Sequence, residues 1–83
     1  MRYTFKETKR SNPETYAIYD GEHIVANMVV GYGKIDLYMG DSKVFALSIE
    51  GELDKGFENE LQRFNFMQSI DDFIYRKLSR KGN

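Results

Sequence analysis

The sequence predicts an α+β protein: an antiparallel meander of about five strands, at 2–9, 15–20, 23–30, 34–39 and 43–49, followed by a C-terminal helical region packed on one sheet face. Three observations predict it. Apolar residues alternate with period two through the first fifty positions, the signature of strands that bury at least one face. The segments are separated by short clusters of turn residues, and connections that short join only antiparallel neighbours, because parallel strands need a crossover. After Glu50-Gly51 the apolar spacing changes to threes and fours, the spacing of a helix stripe.

Each element has its own signal. In 2–9, Tyr3 and Phe5 alternate with Arg2, Thr4 and Lys6. Ser11-Asn12-Pro13-Glu14 is a turn cluster, with Pro13 presetting its backbone angle. In 15–20, Tyr16 and Ile18 oppose Ala17 and Tyr19, and Asp20-Gly21 is a hairpin signal. In 23–30, Ile24, Ala26, Met28 and Val30 oppose Val25 and Val29. Gly31-Tyr32-Gly33 then leads to Ile35, Leu37 and Met39 with Tyr38 opposite. Gly40-Asp41-Ser42 leads to Phe45, Leu47 and Ile49 with Val44 and Ala46 opposite.

In the last third, Phe57, Leu61, Phe64, Met67, Ile70, Phe73, Ile74 and Leu78 form the stripe. Ser69 reads as an N-cap with Asp71 and Asp72 in the first turn, and Arg76, Lys77 and Arg80 suit the C-terminal end. That places a helix over 70–79. Segment 57–67 reads as a second helix joined through a kink at 66–69, or in part as a sixth strand, since Phe64 and Phe66 also alternate. The expected core is Phe5, Ile18, Ile24, Met28, Ile35, Leu37, Phe45, Leu47, Leu61, Phe64, Phe73, Ile74 and Leu78. The last residues, Lys81-Gly82-Asn83, are expected to fray.

Both sheet faces are apolar. One helix covers one face. The other, carrying Ala17, Tyr19, Val25, Val29, Tyr38, Val44 and Ala46, is either covered by 57–67 or left for solvent, a second copy or a partner.

A chain of 83 residues is one small domain with a thin core. It has no cysteine, which excludes disulfides and thiolate metal sites and fits a reducing cytoplasm. No stretch reaches the length of a membrane span, and Met1 to Lys6 lacks the apolar run of a signal peptide. A cytoplasmic protein without cofactor and without membrane association is therefore expected.

The net charge of −1 conceals segregation: +3 over residues 1–10, −8 over 11–72 and +4 over 73–83. Acidic and basic regions separated in this way steer and select partners.

Enzymatic motifs are absent from this reading. His23 is the only histidine and follows a turn, and no serine stands in a nucleophile setting. Glu50, Glu52 and Asp54 alternate as calcium ligands can, but without the calcium-loop pattern. Gly31-Tyr32-Gly33-Lys34 shares its glycine–aromatic–glycine start with an RNA-recognition strand, yet Lys34 fills an aromatic slot and no crossover helix precedes residue 50.

The expected function is non-catalytic: a small protein-binding module or inhibitor that engages a larger, basic partner, one that handles nucleic acid among the candidates. Glu50, Glu52, Asp54, Glu58 and Glu60 supply the acidic flank and Tyr19, Tyr32 and Tyr38 the aromatic anchors. One alternative is a nucleic-acid-binding module using Arg2, Lys6, Lys9, Arg76, Lys77 and Arg80. A second is a homo-oligomeric structural protein, with a homodimer formed through the second sheet face. Compact cysteine-free domains of this build are frequent among accessory proteins of phages and mobile elements, an analogy at the level of fold alone.

Overall fold

The computed structural model describes residues 1–10 and 12–81. Ser11, Gly82 and Asn83, where the sequence predicts a turn and a frayed end, lie outside them. The chain forms a five-stranded antiparallel sheet in sequence order: β1 (Thr4–Lys9), β2 (Glu14–Asp20), β3 (His23–Gly31), β4 (Lys34–Met39) and β5 (Ser42–Ser48). One helix follows, α1 (Glu60–Lys81).

The helical region is a single element of 22 residues, spanning about 33 Å, and not two pieces with a kink. Its N-cap is Asn59, whose Oδ1 accepts the Gln62 N–H at 2.8 Å, while the Gln62 side chain accepts the Glu58 N–H at 2.7 Å. This is close to a capping box, shifted by one residue. Ser69, expected as a cap, lies in mid-helix with its hydroxyl donating to the Asn65 carbonyl at 3.2 Å. A serine can satisfy itself against the preceding turn in this way, so it need not mark a helix start.

Met67, Ile70 and Ile74 of α1 pack on Tyr16, Ile18, Ala26, Met28, Val30, Ile35 and Leu37, all on one side of the sheet. Phe57, from the connection before α1, and Phe66 join the same core, so 57–67 covers no part of the second face. Three register shifts, each adding one residue to a strand, alter the simple alternation. In β3 the pairing moves from Ile18–Ala26 to Tyr19–Ile24, leaving Val25 as the extra residue. Ile24 thereby shares the open face with Tyr19 and is 55% exposed, while Val25 packs against the core. In β5 the extra residue is Val44, which likewise turns to the core; in β1 it is Thr8.

Three expected core residues are therefore on the surface: Ile24, Leu61 (70% exposed) and Phe64 (55%). For Ile24 the cause is the bulge. For the other two it is the helix's long period: the stripe drawn through 57–67 does not continue the face set by Met67, Ile70 and Ile74. Tyr3, Tyr16, Leu53 and Phe57 take places in the core instead.

The helix face predicts its own mutational response. Ile70→Ala should lower unfolding free energy by about 2–5 kcal/mol, since it empties a fully buried site. Leu61→Ala should change it by less than about 0.5 kcal/mol. Urea denaturation of the two variants beside the parent measures both, and equal losses would contradict the observed helix orientation.

Candidate functional site

The turn between β3 and β4 and the connection between β5 and α1 meet at one end of the sheet. Leu53, at the centre of the connection, is fully buried, and the chain around it bonds to the hairpin through main-chain groups. The Tyr32 N–H donates to the Asp54 carbonyl and the Gly33 N–H to the Leu53 carbonyl, each at 3.2 Å. The Ile49 N–H donates to the Gly33 carbonyl at 2.8 Å. Below the turn, Gly31 lies against the β1–β2 connection so closely that a Cβ there would come within 2.6 Å of the Asn12 side chain.

The result is a fixed knuckle. Tyr32 stands out from it, 65% exposed, with its backbone at φ +54°. Glu50, Glu52, Asp54 and Glu58 are exposed along the connection bonded to this turn, and none forms an ion pair among the described residues. Lys55 is the single cation of the connection. Exposed carboxylates and an exposed aromatic ring are groups that can engage cations: a ring face attracts a guanidinium or ammonium, and carboxylates accept its hydrogen bonds.

A buried network supports the knuckle from the helix side of the sheet. Glu14, the first residue of β2, accepts the Phe57 N–H at 2.9 Å and the Tyr16 hydroxyl at 2.5 Å. Arg63 of α1 reaches Glu14 at 3.5 Å and donates its Nε–H to the Tyr16 oxygen at 3.2 Å; it also pairs with Glu60. The Phe57 ring packs against Tyr16 and Phe66 at centroid distances of 6.1 and 6.0 Å. Gly56 is required here: a Cβ would collide with the Glu14 carboxyl, and its φ of +92° disfavours other residues.

The other expected site residues disperse. Glu60 is engaged by Arg63. Tyr19 and Tyr38 lie on the open sheet face, with Tyr19 beside the Asp20-Gly21 turn at the opposite end from Tyr32. On that face Asp36 is buried between Lys34 (3.8 Å) and Lys43 (3.4 Å), and the Lys43 ammonium stands 5.8 Å from the Tyr38 ring centroid. The basic set divides three ways. Arg2 is held by Asp71 at 3.2 Å and Asp72 at 3.0 Å and stacks 4.0 Å above Tyr75. Lys6 faces the open side opposite Ala17, and Lys9 ends β1. Arg76, Lys77 and Arg80 lie exposed on the last turns of α1, without ion pairs among the described residues. His23 is exposed opposite Asp20 at the start of β3.

Glu14, Tyr16, Arg63 and Asp71 were the residues missed. Asp71 had a readable signal, because it falls on the apolar stripe between Met67 and Ile74, where a charge needs a buried partner. Glu14 had none, lying in what reads as a turn. Among the described residues no three histidine, aspartate or glutamate side chains converge as they would around a metal ion, and no helix is long and apolar enough to cross a membrane. No family model, curated protein or solved structure matches the chain.

Burial, and then the hydrogen bond to Glu14, push the Tyr16 hydroxyl well above the ordinary tyrosine range. The unfolded chain loses this proton near pH 10 while the folded protein retains it, so the folded state binds more protons and stability falls as pH rises above about 10. Absorbance titration at 295 nm should show Tyr16 ionising only together with unfolding. Tyr16→Phe should remove that step and reduce the steepness of the alkaline stability loss.

Proposed function

We propose that this chain is a non-catalytic protein-binding module whose acidic knuckle receives a basic, arginine- or lysine-bearing segment of a larger protein. The observation that carries the reading is the combination at one end of the sheet: the exposed Tyr32 turn, bonded through its backbone to a connection that carries the exposed, unpaired carboxylates of Glu50, Glu52, Asp54 and Glu58. Most acids elsewhere pair internally with Arg2, Arg10, Lys34, Lys43 or Arg63; Asp20, Glu22 and Asp41, at the turns of the opposite end, are the exceptions. The knuckle instead leaves its charge to the outside on a backbone that loses little freedom on binding.

A partner with a cationic groove for nucleic acid is the natural target class, since carboxylates there occupy the positions of phosphates. Binding of that kind occludes the groove and makes the module an inhibitor. Tyr19 and Tyr38, on a separate surface, have no part in it. The second reading, binding of nucleic acid itself, rests on Arg76, Lys77 and Arg80, a smaller set than expected because Arg2 is engaged and Lys6 and Lys9 lie elsewhere.

The two readings separate by titration. A fluorescent deca-arginine peptide should bind with an affinity that falls as salt rises. Reversing Glu52, Asp54 and Glu58 to lysine should weaken it about tenfold or more. Tyr32→Ala should weaken it about two- to fivefold through loss of the ring. Reversing Asp20, Glu22 and Asp41, at the other end of the sheet, should leave it unchanged. Equal effects of the two triple reversals would reduce the knuckle to diffuse charge, and tighter binding of a single-stranded oligonucleotide than of the peptide would favour the second reading.

A further inference from the structure

The two edges of the sheet are built differently. The β1 edge carries Lys6 and Lys9, has its bulge at Thr8, and the Thr8 hydroxyl bonds to Thr15 at 2.7 Å. Charges placed along an edge in this way discourage pairing with another strand. The β5 edge also has a bulge, at Val44, but it carries one charge, Lys43, and then runs Val44-Phe45-Ala46-Leu47 with β4 as its sole neighbour in the sheet.

The layer between sheet and helix shows the same asymmetry. On the β1 side it is sealed by Arg2 with Asp71 and by Arg63 with Glu14. On the β5 side Met39, Val44, Phe45, Leu47, Phe73 and Leu78 are only half-buried. A groove of about 550 Å³ opens there between α1 and the β4–β5 turn, with Lys77 and Arg80 on its rim.

We infer that the chain forms a two-fold homodimer by antiparallel pairing of β5 with β5 of a second copy, each copy setting Glu50 and Glu52 against the other's Lys77 and Arg80. The topology selects this occupant. β5 starts at the end of the sheet where the C-terminal turns of α1 lie, as Leu78 and Lys77 beside Ser42 and Val44 show. It ends where the acidic connection begins. In an antiparallel pair about a dyad, the start of one β5 lies beside the end of the other. The cationic helix end of each copy therefore comes next to the acidic connection of its partner, twice, by symmetry.

The exposed apolar strip is then continuous across a ten-stranded sheet, and the arrangement closes on itself as an isologous interface. A parallel or head-to-tail contact supplies no such matched pair. The dimer draws on Glu50 and Glu52, two of the four acids of the basic-partner reading, and leaves Tyr32, Asp54 and Glu58 outward; it does not rest on that reading, and self-association of the protein alone reads it out apart from peptide binding.

Sedimentation velocity from about 1 μM to 1 mM, with hydrogen exchange at both limits, tests the inference. A saturating monomer–dimer equilibrium is expected, with β5 amides gaining protection at high concentration. The double variant Lys77→Glu/Arg80→Glu should weaken dimerisation about tenfold. Glu50→Lys/Glu52→Lys should do the same, and the fourfold variant should recover most of the loss. All four positions are exposed, so circular dichroism should show each variant folded; the β5 protection in the parent protein stands as evidence apart from them. A monomer at about 1 mM, growth without saturation, protection confined to the open sheet face, or no recovery in the fourfold variant would each overturn the dimer.

Discussion

A carboxylate removed from water must be met by donors, and in this small protein three of them are: Glu14, Asp36 and Asp71. Asp71, fully buried on α1, accepts the backbone N–H groups of Arg2 and Tyr3, both at 2.9 Å, and the Arg2 guanidinium. Glu14, on β2, accepts the Phe57 N–H and the Tyr16 hydroxyl and faces Arg63. Apart from the Tyr16 hydroxyl, which shares β2 with Glu14, the donors come from segments distant in sequence from the acceptor. The two clamps hold the middle and the start of one helix to the first two strands, and the rest of the two-layer packing is placed between them. Losing a donor to either carboxylate leaves a buried charge unmatched, which costs about 3–5 kcal/mol in comparable sites. Among the described residues no buried side-chain polar atom lacks a partner.

The same constraint decides which charges face outward. Arginines spent on Glu14, Asp71 and Asp72 are unavailable to a ligand, and Glu60 is spent on Arg63. Among what remains are two concentrations of charge: acids at the end of the sheet that carries the Tyr32 turn, and a cationic run on the last turns of the helix. The connection after β5 owes its fixed shape to the Glu14 clamp at Phe57, to Leu53 in the core and to the absence of a side chain at Gly56. Packing beneath the surface thus sets the presentation of the charges above it.

The strands were legible because alternation and glycine-bearing turns coincide in this chain; β4 matches its expected span and the other four strands differ from theirs by one or two residues at an end. The helix was legible in type and less so in extent, since Ser69 imitates a cap while the functioning cap, Asn59, precedes residues whose apolar members point outward. Ile24 and Val44 exchanged faces because a bulge inverts the alternation beyond it, and nothing local in the sequence marks a bulge. The acidic set was legible as composition and Tyr32 as a turn residue. Their union depended on backbone bonds between segments twenty residues apart, and Tyr19 and Tyr38 could be assigned away from them only when the register was known. Glu14 was hidden for the same reason: its donors come from Phe57 and Arg63, far along the chain.

The bond between the chain's first residues and Asp71 joins positions 68 and 69 apart in sequence, whereas every strand pairs with its immediate neighbour. Contacts between sequence neighbours close short loops at little entropic cost; a contact that encloses most of the chain bears the largest. The meander can accordingly assemble hairpin by hairpin, with docking of the helix by the Asp71 latch as the closing event of folding. The latch is also where opening begins. Release of residues 2 and 3 exposes one carboxylate and frees the helix from its midpoint onward, leaving β2 to β5 intact. The molecule therefore has a natural seam between a locally coded sheet and a helix that only distant contacts hold in place, and partial unfolding should follow that seam.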